Sequence, residues 1–370
     1  MSTHELYTLP ADIATWDAEA HGAARFTWEY QDGRDRLLAL YQKGKDKQWD
    51  SVRRIDWDLE VDPDDPFGLP EETNPIHGTP MWDRMTPAER IQCSRHVGAW
   101  QFSQFLHGEQ GAMICSARIV ESVPDLDAKF YAATQTMDEA RHTETYARFL
   151  QDKVGLVYPI GAPLKALLGD TLTDARWDIP YLGMQVLIEG LALAAFGVLR
   201  DLTPRPLPKQ ILAYVMQDEA RHVAFGRIAL KDYYAELTDS ERAEREEFVI
   251  EGAYLMRNRF RGDEVWERLG LPLADCLEAT EHSPYLTAFR TLLFSRIVPC
   301  VKDIGLWGER VQEAFADLGV LDMAGLDLDA LMRDDEDKAE QLELAERDRR
   351  EFAARAAEVS DAIALGAPEG

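Results

Sequence analysis

From residue 86 onward, apolar side chains recur at three- and four-residue intervals over long stretches, the period of helices with one buried face. Thr86-Pro87-Ala88-Glu89 predicts a helix start, with a Thr cap, Pro at the first helical position and Glu at the third. That helix is expected to run to about Ser122, where Pro124 interrupts it. A second is expected over 124–154, closed by Gly155 and Pro159. After a looser stretch to Trp177, a third fits 180–200 and a fourth 208–236, and Thr238-Asp239-Ser240-Glu241 opens a fifth with a capping box. Residues 283–318 carry an amphipathic helical pattern, and 329–365 are highly charged with spaced Leu and Ala, the signature of a solvated surface helix. The first eighty residues are mixed, with a helix expected around 28–41 and irregular loop over the Pro-, Asp- and Gly-rich 62–80. Runs of alternating Val, Ile and Thr are scarce, so the predicted fold class is all-α. The divisions expected are an N-terminal extension packing on the bundle (1–85), a four-helix core (86–236), additional bundle helices (237–325) and a charged C-terminal helical segment (326–370).

Charge narrows the function. The 370 residues hold 40 Lys and Arg against 67 Asp and Glu, a formal charge of −27. Phosphate recognition needs clustered cations, so neither a nucleic-acid partner nor an anionic membrane surface is expected. No uninterrupted run of 18 apolar residues is present, which predicts no membrane span. Met1 to Pro10 lacks a basic segment followed by an apolar run, so no signal peptide is expected. Cys93, Cys115, Cys276 and Cys300 are widely separated, with no Cys-x-x-Cys. They read as reduced, buried small hydrophobes in a cytoplasmic protein.

The chemistry sits in a repeat. Asp138-Glu139-Ala140-Arg141-His142 recurs as Asp218-Glu219-Ala220-Arg221-His222, each inside a long helical segment. A Glu and a His three residues apart share one helix face and reach the same point in a bundle interior. The same thirty-residue spacing separates Glu139 from Glu109 and Glu219 from Glu189, two acids in apolar or small-residue surroundings. Glu189, among Leu187, Ile188, Leu191, Leu193 and Phe196, has little polar company. A lone buried carboxylate is costly unless it is paired or metal-bound. Glu109, Glu139, His142, Glu189, Glu219 and His222 together make the four-carboxylate, two-imidazole ligand set of a carboxylate-bridged dinuclear iron or manganese site in a four-helix bundle. Asp138 and Asp218 are placed to accept the free ring N–H of a ligand histidine, in particular that of the opposite motif. A duplicated hairpin with surface ion pairs would leave Glu109 and Glu189 unexplained.

Other residues take lesser parts. Tyr146, one turn beyond His142, is either a packing residue or a redox-active phenol. His107 points to a different face from Glu109 and reads as a hydrogen-bonded core histidine; His96 has no evident partner. Trp28, Trp49, Trp57 and Trp100 read as packing anchors. Phe105, Ala112, Leu193 and Val215 fall on the ligand-bearing faces and are expected in the core, lining the cavity that admits substrate and O2. Arg257, Arg259 and Arg261 form one candidate basic patch for an acidic substrate or carrier, the alternative being simple surface solvation.

These motifs resemble the ferritin-like di-iron carboxylate superfamily over roughly residues 86–236. Asp-Glu-x-Arg-His is most similar to the hydroxylase subunits of bacterial multicomponent monooxygenases and is shared in outline by the ribonucleotide reductase small subunit. A vaguer likeness lies in Gln48-Trp49-Asp50 and Ile55-Asp56-Trp57-Asp58. The resemblance implies a ferritin-like four-helix bundle with additional N- and C-terminal helices. It also implies two iron ions, Fe/Fe ahead of Mn/Fe, with O2 as co-substrate, and metal ligands at the six residues above. The expected activity is a hydroxylase or monooxygenase inserting oxygen into a C–H or N–H bond of a small organic substrate, fed by an electron-donating reductase or ferredoxin; a homodimer is compatible with this. The alternatives are a reductase-like radical-generating subunit, an acyl desaturase, and a metal-storage bundle with no catalysis. The departures are specific. Leu193 stands where the monooxygenases usually place Thr. Glu109 stands where the reductase subunit usually has Asp, although Tyr146 matches its radical tyrosine. Val215 stands where the arylamine N-oxygenases carry an extra His one turn before the last glutamate.

Overall fold

A computed structural model of the chain describes residues 16–20, 22–27, 30 and 33–366, with side chains beyond 338 described only in part. Every regular element among the described residues is helical. The helix Pro87–Ser122 starts at the capping box expected from sequence: Glu89 N–H donates to the Thr86 hydroxyl, and the Glu89 carboxylate accepts from Thr86 N–H at 2.7 Å. A three-residue break then turns the chain back into Leu126–Arg148. Asp125 caps that helix by accepting from the amides of Asp127 and Ala128. The second pair consists of Glu189–Leu202 and Pro206–Tyr234. Each pair packs on itself, and Leu126–Arg148 meets Pro206–Tyr234 across the centre, so the two repeated motifs face each other in the core.

The differences from the sequence reading have local causes. Helix is present at Asp35–Asp46, later than the expected 28–41, and Trp28 lies outside the described residues. The second bundle helix loosens into a π-helical turn at Phe149–Val154 before Gly155, which takes φ +66°. The third begins as a π-helical segment, Tyr181–Ile188, immediately before Glu189. Wider turns of this kind leave no period in the sequence, and they gather at functional sites. The stretch read as loose contains the helix Ala162–Thr173. The amphipathic pattern at 283–318 is three short helices, Pro284–Leu293, Ile297–Asp303 and Glu309–Asp317.

The continuous segment Tyr181–Leu202 is, by length and composition, apolar enough to cross a membrane, which the search for an uninterrupted apolar run missed because Glu189 divides it. Bundle neighbours bury 83% of its apolar window, as for a core helix. Gly226 packs tightly against this segment: a Cβ there would stand 2.5 Å from Gln185 Cβ.

The charged tail forms the helix Leu328–Gly366 and packs along Pro206–Tyr234. Its acids reach back to cations of the N-terminal segment, pairing Glu336 with Lys43, Glu340 with Lys47 and Glu343 with Arg54, while Asp335 forms a buried pair with Arg296 at 2.6 Å. All four cysteines are buried and free. Trp57 and Trp100 are buried, donating to Ser51 O and Glu264 Oε2; Trp49 is half-buried beside the site.

Candidate metal centre

The bundle brings all six side chains singled out by the repeat to one buried region. Single donor atoms of Glu109, Glu139, His142 and Glu219 lie within 4.8 Å of one another, and those of Glu139, Glu189 and His222 do the same. Glu139 belongs to both groups. Glu219 also lies between them, with Oε1 3.2 Å from His142 Nδ1 and 3.6 Å from His222 Nδ1. His142 Nδ1 is surrounded at 3.2 Å by oxygens of Glu109, Glu139 and Glu219. One ring nitrogen carries at most one proton, so it cannot serve three acceptors.

Several of these atoms lack a well-formed hydrogen bond, although His222 Nδ1 is 3.0 Å from Glu139 Oε1 and Glu219 Oε1 is 3.2 Å from His142 Nδ1. Both carboxylate oxygens of Glu219, Oε2 of Glu189 and Nδ1 of His222 are buried without a well-formed hydrogen bond. Such atoms each cost free energy when left bare. They point at the same region from different helices, and carboxylate with imidazole is a donor set suited to Fe(II) or Mn(II). Two divalent cations would neutralise four carboxylates, so the residues present fit a di-metal centre.

Electrostatics carries the same signature. Burial, then the nearby charge of Glu219, pushes the Glu109 carboxyl well above its usual range. Burial does the same to Glu189, with Glu219 and Glu139 adding to it against the opposing pull of His222. Burial disfavours a charge on either imidazole, yet Glu109 facing His142 and Glu139 facing His222 hold both well above the usual histidine value. Without a cation these shifts favour protonated Glu109 and Glu189 and charged imidazoles, so protons take the place of positive charge in the cluster.

The outer nitrogens are held by a crossed arrangement. His142 Nε2 is 3.0 Å from Asp218, and His222 Nε2 is 3.3 Å from Asp138, each histidine meeting the aspartate of the opposite motif. Those aspartates sit in a buried quartet with the two motif arginines. Arg141 donates to Asp138 at 2.5 Å and to Asp218 at 2.8 Å, and Arg221 pairs with Asp218 and, at 3.6 Å, with Asp138. The N-terminal segment closes this end. Gln48 donates to Asp138 at 2.6 Å and accepts from Arg141 at 2.6 Å, and Trp49 Nε1 donates to Asp218 at 2.8 Å. On the other side, Gln135 donates to Glu139 at 3.0 Å and to Glu189 at 2.8 Å. Gln135 escapes the sequence reading because it lies outside the repeated pentapeptide; its place four residues before Glu139 is the only sequence cue.

A narrow cavity opens on the Glu109, Glu189 and Glu219 side, walled by Phe105, Ala112, Ile188, Leu191 and Phe196. Leu193 and Val215 are buried but do not line it. Tyr146 is buried against Phe102, Phe105 and Phe196, and its hydroxyl has no hydrogen-bond partner among the described residues. Burial, then Glu109 and Glu219, raises that phenol well above its usual range. The lesser histidines lie elsewhere, His107 against the Tyr158 carbonyl at 2.8 Å and His96 against the Tyr158 hydroxyl at 2.6 Å.

A four-helix core with a buried carboxylate–histidine cluster is the ferritin-like di-iron arrangement, and the chain is an O2-dependent non-haem di-iron oxygenase or oxidase. The family model of the p-aminobenzoate N-oxygenase AurF matches residues 31–305, and the chain belongs to that family. The match falls on the N-oxygenase group even though Val215 occupies the position of the extra histidine expected there. Solved structures similar to the chain include three variants of an R2-like ligand-binding oxidase with anaerobically reconstituted Mn/Fe cofactor. Two are 18% and 17% identical with TM-scores of 0.46 and 0.47, each match covering 73% of this chain and 94% of the other. A third is 17% identical with a TM-score of 0.43, covering 75% and 100%. No curated protein matches the chain.

Proposed function

We propose that the protein is an oxygenase of a small organic substrate, oxidising an N–H or C–H bond at a di-metal centre held by Glu109, Glu139, His142, Glu189, Glu219 and His222. The carrying observation is the convergence of four carboxylates and two imidazoles on one buried region, with donor atoms of Glu189, Glu219 and His222 left without a well-formed hydrogen bond. When bound, a pair of iron ions, or Mn with Fe, supplies the electron transfer and O2 activation. The protein's own groups do the rest. Asp218 and Asp138 hold the imidazoles by Nε2 so that each Nδ1 faces inward. Gln135 fixes the carboxylates of Glu139 and Glu189 in register. Phe105, Ala112, Leu191 and Phe196 keep water from the reacting end of the cavity. Tyr146 places a phenol without a hydrogen-bond partner beside the acids. N–H oxidation is favoured over C–H oxidation by family membership. No flavin or iron–sulfur motif is present in the chain, so electrons come from a separate reductase or ferredoxin. Four buried free thiols agree with a reducing cytoplasm.

Metal analysis combined with stopped-flow absorbance tests this reading. The wild type should hold two metal ions per chain and react with O2 when reduced, with organic oxidation coupled to O2 uptake. Glu189→Ala should retain no more than one ion. A protein that takes up metal without specificity and consumes no O2 with any amine or hydrocarbon substrate would instead be a storage bundle.

A further inference from the structure

The basic patch expected at Arg257, Arg259 and Arg261 does not form. Arg257 pairs with Glu281 and Arg261 with Asp263, while Arg259 turns inward and lays its guanidinium over the Phe260 ring, 5.7 Å from the centroid. Cations gather elsewhere. The helices Asp35–Asp46 and Leu328–Gly366 both pack on Pro206–Tyr234, and a cavity of about 240 Å³ lies in the groove where the three meet. Five cations line it, Arg36, Lys43, Arg221, Arg227 and Arg333, against the two acids Asp329 and Glu336. That reverses the balance of a chain with 40 bases and 67 acids. Both acids are already matched, Glu336 by Lys43 and Asp329 by Arg227, which also holds Asp303 at 2.6 Å. Arg36 and Arg333 are exposed and make no hydrogen bond or ion pair among the described residues. Two donors in the deep wall are bare as well. Nε of Arg221, a side chain only 4% exposed, and Nε2 of Gln217, one turn away on the same helix, are buried without a partner.

We propose that this groove binds a phosphate dianion, free or borne by a small phosphomonoester, between Arg36 and Arg333, with Arg221 Nε and the Gln217 amide as further donors. Two unpaired guanidiniums balance two negative charges, where a carboxylate monoanion would leave one cation unmatched. Guanidinium forks and N–H donors arriving from three helices suit the tetrahedral oxygens of phosphate. The net charge of −27 repels a long polyanion, whereas a single dianion in the groove is screened from acids beyond about 8 Å at physiological salt. Leu40 and Met332 also line the groove and offer an apolar wall to the organic part of an ester. A bound dianion would fasten the N-terminal and C-terminal helices together over Pro206–Tyr234, as the Lys43–Glu336 pair already does. The site stands apart from the metal donors and does not depend on how the metal centre is read.

Calorimetric titration of the full chain, metal-loaded and metal-free, tests this with inorganic phosphate, phenyl phosphate and nitrate at about pH 7.5, where phosphate is mainly dianionic. The wild type should bind a phosphate at least about ten-fold more tightly than nitrate, and Arg36→Gln and Arg333→Gln should each weaken it by about ten-fold, the worth of a hydrogen bond to a charged group. The double variant should abolish binding, and Gln217→Leu should weaken it less than either arginine change. Because both guanidiniums are exposed and unpaired, their variants should hold the same metal and melt with the wild type in the absence of phosphate. Added phosphate should raise the melting point of the wild type and not of the double variant. Tighter binding of phenyl phosphate would mark an ester whose body lies against Leu40 and Met332; equal or tighter binding of inorganic phosphate would mark the free ion. Phosphate held no more tightly than nitrate, or a phosphate-free melting point clearly lowered in either single variant, would overturn the assignment. Binding that survives in the double variant would place the phosphate elsewhere, at the metal ions if it needs them, and would overturn it too.

Discussion

Asp218→Asn tests how the centre is held. The Asp218 carboxylate meets His142 Nε2 at 3.0 Å, Trp49 Nε1 at 2.8 Å and Arg141 at 2.8 Å, and pairs with Arg221, all in the buried interior. The substitution keeps the shape and removes the charge, with two separable consequences. First, the His142 ring loses the anion that orients it. Outer hydrogen-bond partners of this kind are worth about 10–100-fold in metal affinity, or about 1.4–2.8 kcal/mol. Second, the quartet of two arginines and two aspartates becomes two buried guanidiniums on one carboxylate. Breaking a buried pair costs about 3–5 kcal/mol, a large part of the ~5–15 kcal/mol that holds a domain folded. Competition with a chelator for Fe(II) or Mn(II) reads the first, and the melting transition of the metal-free protein reads the second. Trp49→Phe is the control: it deletes one hydrogen bond to the same oxygen, worth about 1 kcal/mol, and leaves the charge. Asp138→Asn should produce the mirror effect, weakening the site on the His222 side. Wild-type metal affinity together with a melting change below about 1 kcal/mol in Asp218→Asn would refute the role given to the crossed aspartates.

Further outcomes follow from single contacts. Tyr146→Phe should leave metal content and melting unchanged, because the lost hydroxyl has no partner, while slowing O2-coupled oxidation; melting lowered by more than about 1 kcal/mol would reveal a hydrogen bond and mark the residue as structural. Gly226→Ala should destabilise by roughly 1–3 kcal/mol through overpacking against Gln185, measured by denaturant unfolding, and a neutral result would mean that the π-helical segment yields. His96 is held at a pKa of about 4 by burial and by Arg268 and Arg95, below its usual 6.5. The unfolded chain therefore takes up a proton that the folded chain refuses, and stability falls as pH drops through that window. His96→Gln should flatten the decline between pH 6.5 and 4 in paired melts, and an unchanged slope would place the cause elsewhere.

How much of this the sequence carries depends on whether a feature has a period. The repeated Asp-Glu-x-Arg-His and the two upstream acids are legible because ligand geometry requires fixed helical spacing, and the structure brings those six side chains together. Capping at Thr86 and Thr238 is legible because it is a local hydrogen-bond pattern. Gln135, Gln48 and Trp49 are not, since their roles come from packing between segments distant in the chain. The π-helical turn before Glu189 leaves no mark on residue spacing. The charged tail reads as solvated because its ion pairs are made to residues nearly three hundred positions away. Within the arginine triplet, sequence cannot say which member turns inward, because that depends on where the helix Asp239–Asn258 ends.

The crossing of histidine and aspartate between the two copies of the motif makes the duplication inseparable. A fragment holding either helical hairpin would own three of the six donors and would lack the anchor for its own imidazole. In the proposed centre, loading of the first ion would report that both hairpins have docked, and a substitution in one copy would be felt in the other.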